Sequence, residues 1–217
     1  MNLVILLLMM SDFFILSGFG LMTPILAIFI KDNIIGGTIF AAGFASTLFF
    51  VVKNIIQLPF SRFIDSHDHD TIWLMLGSII IVAIPLLYIF ADHIWMIYML
   101  QVLYGVGVAL AYPAWIALWV THLDKNHESF EWSSYSALIG FGIAITGIIG
   151  AAIADYIGFK YTFMLASAVS FFGLIFIMRL FWLERDEILS KKLVSKKKLK
   201  RNQKHFFVFH KKRRVIH

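Results

Sequence analysis

Gly18-Phe19-Gly20-Leu21-Met22-Thr23-Pro24 lies inside the first long hydrophobic run of the chain, and the fourth run carries its echo, Gly105-Val106-Gly107 followed by Pro113. The two prolines are 89 residues apart. A second echo keeps nearly the same offset. Ser61-Arg62-Phe63-Ile64-Asp65 closes the second run and Ala151-Ala152-Ile153-Ala154-Asp155 the fifth, with the aspartates 90 residues apart. Two features at almost one spacing point to a three-helix unit used twice. Three is odd, so in a membrane the second unit is inverted. Helices interrupted by glycine or proline at matching places of inverted repeats mark transporters. The competing reading is that glycine and proline are simply common in membrane helices.

Composition supports a membrane setting. Of 217 residues, 60% are hydrophobic and 15% charged, where a soluble domain carries roughly 25% charged residues. The mean hydropathy is +0.82. A soluble globule of this size could not cover so much apolar surface. Cysteine is absent, which excludes a disulfide framework, a thiolate metal site and a cysteine nucleophile. A membrane-crossing helix needs about 20 apolar residues. Six runs qualify: roughly 3–30, 38–60, 71–91, 94–121, 132–154 and 160–183. Glycine, proline or charge interrupts each junction, with Asp92-His93 as a two-residue turn and Thr121 to Glu131 as a polar loop. Met1-Asn2-Leu3 has no basic region and the first run exceeds a signal peptide's apolar core, so it is expected to stay as a helix. The fold class is therefore an all-α membrane protein of two inverted three-helix repeats. Residues 1–183 form the bundle, with units at about 1–91 and 92–183, and residues 184–217 form a tail.

Charge gives an orientation. Residues 1–183 hold 6 Lys/Arg against 10 Asp/Glu, while residues 184–217 hold 13 against 3, so the basic character belongs to the tail. Arg62, Lys125 and the tail fall on one side; Lys31 and Lys160 fall on the other. The positive side is cytoplasmic. Both termini are expected there, in a multi-pass protein of the cytoplasmic membrane.

At these residues the chain resembles the N-terminal six-helix half of the major facilitator superfamily, over about residues 3–183. That family's loop between helices 2 and 3 reads Gly-x-x-x-Asp-Arg-x-Gly-Arg-Arg/Lys. Ser61 to Asp70 keeps its aspartate at Asp65 and lacks both glycines and the basic positions. The inverted copy, Ala151 to Lys160, keeps Asp155, Gly158 and Lys160, and Gly158-Phe159-Lys160 is similar to the family's Gly-Trp-Arg element. Gln101 stands near the family's helix-4 arginine, ahead of Gly105 and Gly107. Thr146-Gly147-Ile148-Ile149-Gly150-Ala151 aligns with the Gly-Pro-x-x-Gly-Gly of drug antiporters without its proline. The resemblance implies secondary active transport of a small solute by alternating access. Since the family has twelve helices, it also implies a second six-helix half, from another copy or a separate chain. It gives Arg62, Asp65 and Asp155 as gating candidates.

The remaining candidates come from placement. An ionisable residue inside a membrane helix is expensive, and Asp12 is one. Lys53 lies at a matching depth in the second run. The two either pair toward the bundle interior, or Lys53 snorkels to the headgroups while Asp12 sits near the interface. Lys53 and Gln57 are four apart on one helix face with Asn54 beside them, a polar stripe suited to a substrate path. Gln101, Tyr104, Val108, Tyr112, Trp115 and Trp119 share a face of the fourth run. That face is either part of the path or an aromatic packing surface with interfacial Trp anchors. Gly142, Thr146, Gly150 and Ala154 fall four apart in the fifth run, as do Gly37, Ala41 and Ala45 in the second. Both are read as helix-packing faces between the units, because small residues admit close approach.

Other chemistry is not expected. His67-Asp68-His69-Asp70 is a solvated loop rather than a metal site, and no cofactor is expected. No phosphate loop, nucleophile elbow or zinc helix occurs, so the chain does not read as an enzyme. The tail clusters Lys196-Lys197-Lys198 and Lys211-Lys212-Arg213-Arg214 around Phe206, Phe207 and Phe209. Each basic residue near an anionic leaflet is worth about 1 kcal/mol, so the bilayer is the expected partner and nucleic acid is not. Besides a transporter, the sequence fits a truncated or split transporter fragment, or a membrane scaffold whose basic tail binds lipid.

Overall fold

A computed structural model describes residues 2–66, 70–124 and 126–185. The loop residues 67–69, Lys125 and the tail beyond Arg185, which carry the metal-loop, charge and lipid-binding expectations, lie outside the described residues. The described chain is helical, with a single isolated bridge as its one β-type pairing among the described residues. Six helical spans are long and apolar enough to cross a membrane: Leu3–Asn33, Ile39–Ile64, Asp70–Tyr88, Ile94–His122, Glu128–Tyr156 and Phe159–Arg185, called spans 1 to 6. The chain divides into two units, Met1–Leu180 and Phe181–His217. In the second, the Arg185 guanidinium lies 5.1 Å from the centre of the Trp182 ring.

Local chemistry sets the ends. Asn2 caps span 1 by accepting the Val4 N–H at 3.1 Å, and Thr38 caps span 2 by accepting that of Ala41 at 3.0 Å. Four boundaries differ from the sequence expectation by three or four residues. Span 1 continues to Asn33 rather than 30, and span 2 to Ile64 rather than 60. Span 5 begins at Glu128 rather than 132, because Glu128 and Glu131 suit the positive end of the helix dipole. Glu131 is buried there, accepting the Asp124 N–H at 3.4 Å. Span 3 ends at Tyr88 rather than 91, shortly after Pro85, leaving Ile89 to His93 as a longer turn. The paired prolines also behave differently. Pro24 opens a 3-10 turn, Thr23–Ile25, that divides span 1 into Leu3–Met22 and Leu26–Asn33. Pro113 sits inside an unbroken helix.

Packing repeats at the sequence offset. A Cβ placed on Gly18 would lie 2.6 Å from the Ala166 carbonyl oxygen of span 6. One placed on Gly107 would lie 3.2 Å from the Gly77 carbonyl oxygen of span 3 and 2.9 Å from Ile80. Gly18 and Gly107 are 89 residues apart, and so are Ala166 and Gly77. Span 1 likewise packs on span 5 as span 4 packs on span 2. Both of these pairs run parallel. Asp12, Gly20 and Leu21 meet Tyr135, Ile143 and Gly150 in order, while Tyr98 and Gly105 meet Phe44 and Phe49 in order. The bundle therefore has two ends. The near end holds the 2–3 and 4–5 connections, and the far end holds the other three. At the far end Ile35 and His93 form a parallel bridge, with the Ile35 N–H donating to the Asp92 carbonyl at 2.9 Å and the Ile94 N–H to that of Ile35 at 3.1 Å.

Candidate functional site

Asp12 lies nine residues into span 1, about 14 Å from its start at 1.5 Å per residue. Tyr135, seven residues into span 5, reaches the same level because the two spans run parallel. The Tyr135 hydroxyl donates to Asp12 Oδ2 at 2.7 Å. Both side chains are half-buried. The Asp12–Lys53 pair, one of the two readings the sequence leaves open, is not formed among the described residues. Depth matched, but Lys53 turns to span 4, where its ammonium nitrogen lies 5.4 Å from the centre of the Tyr112 ring. Among the described residues Lys53 makes no ion pair.

Asp12 and Tyr135 line a cavity of about 180 Å³ between spans 1 to 5, together with Tyr104, Tyr112 and Trp115 of span 4 and Phe49 of span 2. Rings form much of its wall. Tyr135 lies 5.2 Å from Trp115, 5.2 Å from Trp119 and 5.6 Å from Trp132. Trp115 and Trp119 stack at 4.9 Å with 17° between their planes. Tyr104 is held between Phe19, at 4.7 Å, and Phe49, at 4.4 Å. The Trp115 indole is buried at 4% exposure and its N–H has no hydrogen-bond partner. The span 4 aromatic face is thus both a packing surface, through Trp115 and Trp119, and a cavity wall, through Tyr104, Tyr112 and Trp115.

Other predicted residues separate from this cavity. Gln101 is buried and, with Tyr104, lines a second cavity of about 280 Å³ toward the far end. Gln57 and Asp65 line a groove of about 540 Å³ at the near end, where Gln57 Oε1 is buried with no hydrogen-bond partner. Asn54 and Arg62 are exposed. Asp65 and Asp155 are also exposed, at opposite ends of the bundle. Gly142 and Gly150 face span 1. A Cβ on Gly142 would lie 2.6 Å from Ser17 Oγ, and one on Gly150 would collide with the Leu21 carbonyl. Thr146 meets Gly20 of the same span, and its hydroxyl donates to the Gly142 carbonyl at 2.7 Å. Ala154 is half-buried. Sequence reasoning missed Tyr135 and Trp132. Their spacing of three on span 5, at the depth of Asp12, was the available signal.

The protein-family model of the Major Facilitator Superfamily matches residues 6–215. The chain belongs to the major facilitator superfamily. Its six apolar spans make it a multi-pass integral membrane protein, of a superfamily whose members are transporters rather than enzymes. A comparison with curated proteins finds no match. In this superfamily member the element similar to Gly-Trp-Arg has a backbone reason for its glycine. Gly158 joins spans 5 and 6 at φ +119°, a region that side-chain-bearing residues avoid.

Proposed function

We propose that the protein moves a small solute across the cytoplasmic membrane by alternating access, through a path that passes Asp12 and Tyr135. The observation that carries this reading is the convergence of Asp12, Tyr112 and Tyr135, from three different spans, on one cavity roughly a third of the way along the bundle. An ionised carboxylate at the centre of a membrane helix costs about 2.5–3.5 kcal/mol on insertion scales, and one a third of the way in still carries part of that cost, which argues for a use. Lys53, Asn54, Gln57 and Gln101 extend the polar path toward the two ends. Arg62 and Asp65 at the near end and Asp155 at the far end act as gates. The close span 1–span 5 contacts at Gly142, Thr146 and Gly150, with Ala154 four residues on along the same face, let the helices slide or rock. Spans 2 and 5 expose large apolar side chains such as Phe40, Phe50, Ile55, Phe141 and Ile148. A second six-helix unit, from another copy or a separate chain, completes the wall. Both termini face the cytoplasm, where the tail meets anionic lipid.

Energised uptake into vesicles prepared from native membranes, which carry the protein together with any second unit, tests the reading. Accumulation that collapses with the ion gradient and is lost in Asp12→Asn is the expected result. Full accumulation in that variant removes Asp12 from the path, and no accumulation of any solute from a broad set removes transport.

A further inference from the structure

We propose that the far-end cavity of about 280 Å³ is a second binding site, separate from the Asp12 cavity, for a small uncharged molecule that carries a carboxamide on an apolar body, and that Gln101 recognises the amide. The inference goes beyond the proposed path by giving its far-end chamber a ligand class, and it rests on that reading only for the ligand's being carried. The cavity lies at the break in span 1. Met22 and Thr23, where the helix gives way to the 3-10 turn at Pro24, both line it. Transporters built on inverted repeats bind solutes where a helix is interrupted. Phe49 and Tyr104 line both cavities, while span 1 gives Asp12, Ile15 and Leu16 to one and Phe19, Met22 and Thr23 to the other. The Phe19–Tyr104–Phe49 ring stack therefore stands between them.

None of the described residues that line this cavity carries a charge. A charged solute would lose its water there without gaining a counter-charge, which costs far more than burying a dipole. The polar groups are few. The Thr23 hydroxyl already donates to the Phe19 carbonyl and the Ser46 hydroxyl to that of Ala42 at 3.3 Å, so both remain as acceptors. Gln101 is 5% exposed and lies beside Tyr88, whose hydroxyl has no hydrogen-bond partner. The Gln101 amide offers a donor and an acceptor side by side, and a ligand carboxamide answers both at once. An alkyl chain would leave that amide unmatched. A sugar would bring more hydroxyls than the wall can match. The stacked rings give a flat apolar body a face to pack on. Ligand pockets commonly start near about 300 Å³, so this one suits a molecule of single-ring size.

Equilibrium dialysis of the full-length chain in lipid nanodiscs, with empty nanodiscs as the blank, tests this with three probes. Benzamide carries the amide, acetophenone lacks its N–H donors, and benzoate replaces it with a charge. Benzamide should bind about three- to tenfold more tightly than acetophenone, the worth of one or two hydrogen bonds, and at least about tenfold more tightly than benzoate. Gln101→Leu should abolish the benzamide preference while acetophenone binding holds or tightens, a pattern that misfolding cannot produce. Equal binding of benzamide and either other probe, or a preference that survives Gln101→Leu, overturns the proposal. So does the absence of binding above the blank, which would leave the chamber to water or lipid chains. Selective benzamide binding without flux of any solute upholds this inference and removes the transport reading. Solute flux through a protein blind to benzamide does the reverse.

Discussion

Tyr135 holds Asp12 by a single hydroxyl, and Tyr135→Phe removes that bond without changing the shape of the ring. Hydrogen bonds to charged groups are worth about 1.5–3 kcal/mol, and half-burial places this one toward the lower value. A fall of several degrees in detergent thermal stability is expected, with uptake reduced but not abolished. An unchanged melting curve would mean that the bond is not made in the membrane protein. Gly150 is a sharper case, because a side chain there collides with the Leu21 backbone. Overpacking costs about 1–3 kcal/mol. Gly150→Val should therefore lower the monodisperse yield, while Gly140→Ala, with open space around it, should behave as the parent. The sequence made Asp12 conspicuous, since a charge inside an apolar run stands out by its cost. Its partner was hidden for a physical reason. Distance along a helix gives depth at 1.5 Å per residue, but span 1 is apolar on every side, so no periodicity reports which way Asp12 points.

Single elements reveal where pattern and geometry part. Pro24 and Pro113 occupy matching places of the repeat, yet only Pro24 breaks the helix. A proline removes one backbone donor in either place, and neighbouring groups decide whether the ladder closes around the gap. Thr23 marks the broken case, its hydroxyl donating to the Phe19 carbonyl at 2.8 Å. Pro24→Ala should regularise span 1 and shift its last turns. The chain lacks cysteine, so a pair introduced at Ile35 and His93 reports that shift cleanly. Cα atoms on adjacent strands fall within disulfide range. The cross-link should form in the parent background, weaken with Pro24→Ala and persist with Pro113→Ala. Equal cross-linking in all three backgrounds would show that the 3-10 turn does not set the far-end geometry. Span existence was legible because 20-residue apolar runs have few other uses. Span ends were less so, since Glu128 and Glu131 read as loop residues by polarity while the helix dipole draws them into a first turn.

At the scale of the whole molecule the charge pattern and the apolar exterior each make a prediction. The Lys/Arg bias predicts that the tail and the Ile34 connection lie on opposite sides of the membrane. Reporter fusions after Ile34 and after His217 should give opposite signals, and like signals would sink the orientation. Span 5 buries a small share of its surface within the bundle, and the second six-helix unit proposed above would cover part of it. Cysteines at Ile148 or Phe141 should cross-link to a second chain in native membranes. A monomer that carries out flux at full rate without such a cross-link would refute the second unit.

The bridge between Ile35 and His93 has a kinetic meaning. Loop amides usually trade their protons with water quickly, yet the Ile35 and Ile94 N–H groups are tied between two separate connections. Their deuterium uptake should lag behind that of the neighbouring loop residues. Any motion that parts spans 1 and 2 from spans 3 and 4 at the far end must break both bonds together. The exchange rate at those two amides then becomes a clock for how often that end opens, and a solute that holds it shut should slow the clock without touching either residue.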